Sequence, residues 1–386
     1  MNGFSRKSKT KTLLTRLHII SSDVPFPPDY GGMVDVFYKI KNLHEAGVQI
    51  YLHCFEYGRG TPEAMEAYCE KVFYYKRKTG LGGLSLRLPY MMYSRRDEQL
   101  LHNLQSIDAP ILFEGVHSTY YLSHPSLAGR FKLMRNQNLE QEYYTHLANR
   151  EPSPLKKMYY RVEALLLKGQ ESRLGAADVF LTVAEHDHAF FKKAYPGKIH
   201  EYLPSFQPYN DVKALPGKGS YALYHGNLGH PENVEAALFL LEKVAPHTAV
   251  PFIFAGKDPD EKIVAACNHL PHCRLIANPG MEEMERLVAE AQVHLLPTFQ
   301  ATGLKLKLLH ALFNGRHVIV NGEMVHGTGL SAVCHIASGP VDFVEKLNTL
   351  AAIPFDENSI EHRRALLLQR YDNKRNAARI KTYLQP

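Results

Sequence analysis

Short apolar runs alternate along this chain with longer stretches whose apolar residues recur every three to four positions. The first pattern fits buried strands and the second amphipathic helices, so the alternation predicts an α/β protein with parallel sheets. Leu17–Ser21 reads as the first strand, and Met33–Ala46 as a helix stopped by Gly47. Val48–Cys54, Pro110–Phe113, Phe131–Met134 and Val179–Val183 continue the strand series, and Arg161–Ala177 reads as one long helix. A second series opens with the strand Tyr221–His225 and a helix begun by Pro231 that runs to Val244. Strands at Pro251–Ala255, Arg274–Ile276, Val293–Leu296 and His317–Val320 follow, with helices at Met281–Ala291 and Leu304–Phe313. The stretch Ser359–Tyr383 is helix-rich and basic.

Between the two series, Leu203–Gly219 carries Pro204, Pro208, Pro216, Gly217 and Gly219 and reads as a linker. The expected domains are residues 1–203 and 220–386, joined by 204–219, with the last helix free to return to the first domain. A length of 386 residues suits two or three domains. Two such halves place ligands at the carboxyl ends of their strands, in a cleft.

Composition narrows the function classes. Hydrophobic residues make up 45% and charged residues 22%, which excludes disorder, collagen and coiled coil as the main architecture. No apolar run approaches the ~18 residues of a spanning helix. The net charge of +6, from 45 Lys+Arg against 39 Asp+Glu, falls short of a polycationic nucleic-acid binder, so no nucleic-acid partner is expected. It suits an anionic small ligand or an anionic membrane surface. Five cysteines (Cys54, Cys69, Cys267, Cys273, Cys334) form no disulfide framework, which points to a reducing compartment. Leu17–Ile20 is too short for a signal-peptide core. The expected location is the cytoplasm, with peripheral contact at the inner face of the cell membrane left open. Tyr74–Lys78 and Lys156–Arg161 mix basic and aromatic residues and suit lipid headgroups as well as plain solvent.

Three strand-to-helix junctions carry candidate chemistry. Pro25–Gly32 ends in Gly31-Gly32 at a helix start, where backbone amides can approach an anion; a tight turn explains it equally well. His225-Gly226-Asn227-Leu228 repeats that placement in the second half. The strongest is Leu296–Gly315, where a polar loop with Thr302-Gly303 leads into a helix bearing Lys305 and Lys307. The helix dipole disfavours cations at that end unless an anion sits there. Asp258-Pro259-Asp260 reads as a helix cap rather than a metal motif. Cys267, His269, His272 and Cys273 lack a second ligand pair at zinc-finger spacing. No metal or other cofactor is expected. No G-x-G-x-x-G or Walker motif occurs.

Together these stretches resemble the retaining, nucleotide-sugar-dependent glycosyltransferases of bacterial polysaccharide synthesis (family 4 and its relatives). The resemblance lies in the loop Pro25–Gly32, in Tyr224–Asn233 with the strand Phe252–Gly256, and in the run Thr302–Gly315. Arg135, Asn138 and Glu140, followed by Tyr143 and Tyr144, match a further element. It implies a GT-B fold, two Rossmann-like domains facing a central cleft. The implied donor site takes Gly226, Asn227, Gln300, Thr302, Gly303, Leu304, Lys305 and His310, and the acceptor side takes Gly31, Gly32, Arg135, Asn138 and Glu140. Four positions depart from the family pattern. Gln300 and His310 stand where glutamates are usual, Asn227 where a basic residue is common, and Gln137 where a histidine often stands.

The implied reaction moves a hexose from a nucleotide sugar to a saccharide or lipid-linked acceptor. Charge grows on the leaving diphosphate, and a helix start with Lys307 can stabilise it without a metal. The departing phosphate then acts as base. Glu114 and His117, at the end of a first-domain strand, are assigned by position to orient acceptor or sugar. A catalytically weak scaffold and a nucleotide-sugar epimerase are the alternatives.

Overall fold

The structure, a computed structural model, describes residues 15–299 and 306–384. The first seven strands are β1 (Thr15–Ser21), β2 (Val48–Glu56), β3 (Lys71–Lys76), β4 (Ile111–Glu114), β5 (Lys132–Asn136), β6 (Val179–Thr182) and β7 (Ile199–Tyr202). They form one sheet in the order β3-β2-β1-β4-β5-β6-β7. The next six are β8 (Ala222–Asn227), β9 (Phe252–Lys257), β10 (Cys273–Ala277), β11 (Val293–Leu296), β12 (His317–Val320) and β13 (His335–Ile336), in the order β10-β9-β8-β11-β12-β13. Pairing is parallel from β3 through β5 and throughout the second sheet. Leu17, Ile19 and Ile20 of β1 and all four residues of β12 are buried. Strands covered on both faces read as continuous apolar runs, which is why these were visible in sequence.

Two compact units divide the chain. The first takes residues 1–135, 148–180 and 373–386, and the second takes 136–147 and 181–372. Helix Asn373–Thr382 packs on helix Gly31–Glu45 in the first unit, where Lys381 Nζ donates to the Ala46 carbonyl at 2.6 Å. A large core in the second unit joins helix Pro231–Lys243 through Leu240 to Phe252, Phe254, Leu308, Leu312 and Val318, and a smaller cluster gathers Leu223, Ala255, Leu287 and Val288.

Several local expectations change. The long helix starts earlier and ends sooner: Pro154 opens it, it runs Pro154–Lys168, and Gly169 caps it before a short turn at Glu171–Leu174. The terminal helical stretch is two helices, Glu357–Tyr371 and Asn373–Thr382, parted at Asp372. Strand β3 was not expected. It is an edge strand with a lysine at each end, and such charges protect edges while masking the apolar signal.

In each sheet the first strand of the series is central. β1 pairs with β2 and β4, and β8 pairs with β9 and β11. The chain reverses its direction of travel across the sheet at these strands, which opens a crevice at their carboxyl ends. Gly256 is fixed by this geometry, because a Cβ there would lie 1.7 Å from the Gly226 carbonyl oxygen on the neighbouring strand. Neither backbone can yield without breaking the β8–β9 pairing. A Gly256→Ala change is therefore expected to destabilise the second unit by about 2 kcal/mol or more, read as a lower urea midpoint at unchanged slope.

Candidate active site

In the second unit, β8 ends at Gly226-Asn227 and helix Pro231–Lys243 follows. The Asn227 side-chain oxygen accepts from the Gly229 amide at 3.1 Å, and its carbonyl accepts from Asn233 Nδ2 at 2.8 Å. These bonds turn the chain tightly and aim Asn233 back over the strand end. Lys307, near the start of helix Leu306–Asn314 and half-buried, donates Nζ to Asn233 Oδ1 at 2.8 Å. The same ammonium lies 3.3 Å from the Tyr224 hydroxyl and 5.0 Å from that ring's centre. Tyr224 donates to the Asn233 carbonyl at 3.1 Å. Burial, reinforced by the Glu232 carboxylate, holds its hydroxyl well above the usual range, so it stays protonated. Glu232 accepts from Thr298 Oγ1 at 2.6 Å, tying the helix after β8 to the end of β11. The predicted residues Gly226, Asn227 and Lys307 are thus brought together at one crevice. Gln300, Thr302, Gly303, Leu304 and Lys305 lie outside the described residues.

Behind that crevice stands a group of histidines. The His225 ring lies 5.3 Å from His310 and 5.9 Å from His294, nearly perpendicular to both. His310 stacks on Tyr209 at 5.6 Å. Burial lowers all three: His225 falls well below the usual value and His310 to about 4. His294 falls to about 3, with His310 adding to the effect of burial. At neutral pH His310 is therefore an uncharged ring offering one donor and one acceptor. Gly315 closes the group, since a Cβ there would sit 2.0 Å from His294 Nε2.

In the first unit, Gly31 and Gly32 are the first two residues of helix Gly31–Glu45. The loop before them is clamped by Arg59, which donates to the Val24 and Pro27 carbonyls and pairs with Asp29 at 2.8 Å. Glu114 ends β4 and Arg135 is the last residue but one of β5, and both are buried in an ion network. Arg135 grips Asp35 with two bonds, at 3.1 and 3.2 Å. Lys39 Nζ bridges Asp35 at 2.9 Å and Glu114 at 2.7 Å. Burial alone would push the Asp35 carboxyl up, but the Arg135 and Lys39 cations outweigh it and hold the group down at about 2. Glu114 is raised, mainly by burial, with the Asp35 charge opposing the pull of Lys39. Its Oε2 has no hydrogen-bond partner among the described residues. The predicted catalytic carboxylate is thus an internal group whose charge is spent on Lys39. His117 follows at Gly115's turn, half-buried and neutral, lowered to about 3 by burial with help from Arg95 and Arg77.

Asn138 and Glu140 fall in the second unit. Glu140 is the first residue of helix Glu140–Arg150, where its charge complements the helix dipole. Asp260 caps helix Glu261–Asn268, accepting from the Lys262 amide at 2.9 Å. Among the described residues no group of three or more His, Cys, Asp or Glu is arranged to hold a metal ion. Sequence reasoning missed Asp35 and Lys39. Its one available signal was polar residues four apart on the apolar helix after Gly31-Gly32.

Residues 219–352, which contain the whole of the second sheet, match the model of the family Glycosyl transferases group 1. This segment is a group 1 glycosyl transferase domain. A Klebsiella pneumoniae protein, described as an uncharacterized 44.6 kDa protein in the cps region, is 24% identical over 339 residues, 82% of this chain and 85% of that one. Sucrose-phosphate synthase from Thermosynechococcus elongatus superposes with a TM-score of 0.70 at 14% identity, covering 95% of this chain and 98% of that one. Anabaena HepE, solved in complex with UDP and glucose, gives a TM-score of 0.64 at 12% identity, covering 96% and 99%. The chain has the GT-B fold, two Rossmann-like parallel-sheet domains.

The buried groups of the two units give two expectations. Lys39→Met leaves Asp35 and Glu114 with one cation fewer in a dry site, and should cost about 3–5 kcal/mol of stability by urea unfolding. Adding Glu114→Gln should recover part of that loss. The histidines bind protons more readily unfolded than folded, so the unfolded state gains as pH falls. Stability should be fully present above pH ~6.5 and decline toward pH ~4. His310→Leu removes one such titration and should make the decline shallower.

Proposed function

We propose that the chain transfers a hexose from a nucleotide-sugar donor to a saccharide or lipid-linked acceptor during synthesis of a cell-surface polysaccharide. The observation that carries this is the Lys307 ammonium held at the carboxyl end of β8 by Asn233 and Tyr224, within the group 1 glycosyl transferase segment. The cps-region relative and the UDP and glucose bound to HepE support the polysaccharide and nucleotide-sugar parts of the reading.

In this mechanism the second unit binds the nucleotide, and Gly226-Asn227 leaves room at the strand end for it. As the glycosidic bond breaks, negative charge develops on the leaving phosphate oxygen. Lys307 is pre-oriented for that charge and needs no metal to help it. The acceptor hydroxyl attacks on the face the phosphate leaves, and the phosphate takes its proton, so configuration is retained and no enzyme nucleophile forms. The loop ending in Gly31-Gly32 and the neutral His117 receive the acceptor. Arg135 and Glu114 act from beneath by fixing that surface. Location is cytoplasmic, with peripheral membrane contact for a lipid-linked acceptor.

One observation favours a second reading. His310, at a position where the family usually has a glutamate, is neutral and stacked on Tyr209, so a ribose would lose a charged acceptor. A binding scaffold of low turnover would follow. The two readings separate in one experiment series. Thermal melts with UDP, GDP and dTDP and their sugars should identify the donor, with about 2.7 kcal/mol of added stability at 100 times Kd. Turnover of that donor should fall about 100-fold in Lys307→Ala. Unchanged turnover would remove Lys307 from the site, and donor binding with no turnover in the unmodified chain would select the scaffold.

A further inference from the structure

We infer that the first unit carries a docking surface for an anionic lipid bilayer, formed by helix Pro154–Lys168 and the segment around Leu81–Leu86. The helix leaves Leu155, Met158, Val162 and Leu165 exposed, at 77%, 60%, 47% and 70%. Their spacing of three, four and three residues puts them on one stripe. The helix is therefore covered on one side only, through Glu163, Ala164 and Leu167. Single exposed apolar residues need no explanation, but a contiguous stripe does.

The second part of the surface is the loop Gly80–Leu88. Leu81 is 87% exposed and Leu86 is fully exposed, with Leu84 also open to solvent. This loop is not slack. Gly83 packs so closely under the Tyr90 ring that a Cβ would lie 2.5 Å from it. Arg96 donates to the Gly82 carbonyl at 3.0 Å while lying over the Tyr93 ring at 3.6 Å. The loop and the helix are fastened to each other. The Glu163 carboxylate accepts from the Tyr90 amide at 2.9 and 3.0 Å, and Gln170 reaches the Arg87 carbonyl at 3.4 Å. The exposed leucines are thus presented by neighbouring, mutually braced elements.

Charge selects the partner. From Lys76 to Arg96 the chain contains no Asp or Glu, and Lys78 and Arg87 are exposed. On the helix, Lys156, Arg161 and Lys168 are exposed, and the one acid, Glu163, is turned inward onto the Tyr90 amide. Apolar side chains ringed by unopposed cations match the boundary between acyl chains and anionic headgroups, where leucines enter and Lys and Arg meet phosphate. No helix among the described residues is long and apolar enough to cross a membrane, so contact through this face is peripheral. The inference deepens the peripheral membrane contact named in the proposed function and rests on that part of it alone; its test needs no donor, so its failure leaves the sugar-transfer reading standing.

The test is co-sedimentation of the full chain with vesicles of phosphatidylcholine alone or with 30–40% phosphatidylglycerol (a range of roughly that order gives a strongly anionic surface). The chain should bind the anionic vesicles, bind neutral ones weakly, and be released by salt. Leu86→Asp with Leu155→Asp should lower binding at least tenfold. Lys156→Glu with Arg161→Glu should lower it on the order of fivefold per charge removed. All four positions are exposed, so thermal melts of the variants should match the parent. Absence of binding to anionic vesicles, or binding that these variants leave unchanged, overturns the proposal. So does a dimer in solution that Leu86→Asp with Leu155→Asp dissociates, because the occupant would then be a second copy.

Discussion

Strand β8 pairs in parallel with β9 on one side and β11 on the other, and that double pairing sets where chemistry can occur in the second unit. Parallel strands all end on the same edge, and neighbours of the first strand are reached by connections that leave in opposite directions. The gap this opens is lined by whatever follows β8 and β11. Here those residues are Gly226-Asn227, Asn233, Thr298 and, from the next helix, Lys307. Gly256 permits the close approach of β8 and β9 that brings these groups within reach of one another. β1, between β2 and β4, imposes the same constraint in the first unit, and Gly31, Gly32, Glu114 and His117 collect there.

The two crevices are supported in different ways. In the first unit the support is ionic: Asp35, Lys39, Glu114 and Arg135 form a dry network of two acids and two bases. Such a network is weak evidence for stability, since desolvation offsets much of the attraction, but it holds one geometry against others. In the second unit the support is neutral. His225, His294 and His310 fill space as uncharged rings, with Tyr209 and Gly315 as their walls. A crevice for an anionic ligand is well served by this choice, because the three histidines behind Lys307 add no charge of their own at neutral pH.

The α/β class and most strands were legible in the sequence because strands buried on both faces write themselves as apolar runs. Val293–Leu296 and His317–Val320 match their expected bounds. The edge strand Lys71–Lys76 was hidden by its lysines, and the helix beginning at Pro154 was hidden because its exposed stripe is as apolar as its buried one. Of the site, Asn227 and Lys307 were legible through the glycine and lysine spacing around them. Asp35 and Lys39 were not, because a buried ion network leaves the same mark in sequence as two solvated charges four residues apart. The partnership of Asn233 with Lys307 spans more than seventy positions and depends on how two helix starts meet over the sheet.

The helix Asn373–Thr382 lies against Gly31–Glu45 and closes off the first unit, with Lys381 bonded to the Ala46 carbonyl. During synthesis the ribosome delivers the chain from the amino end. The first unit therefore waits with one flank of its opening helix bare until residue 382 has emerged, by which time the whole second unit has been made. Long-range closures of this kind slow folding and leave apolar surface exposed meanwhile. The order of manufacture is thus the reverse of the order of completion: the unit begun first is finished last.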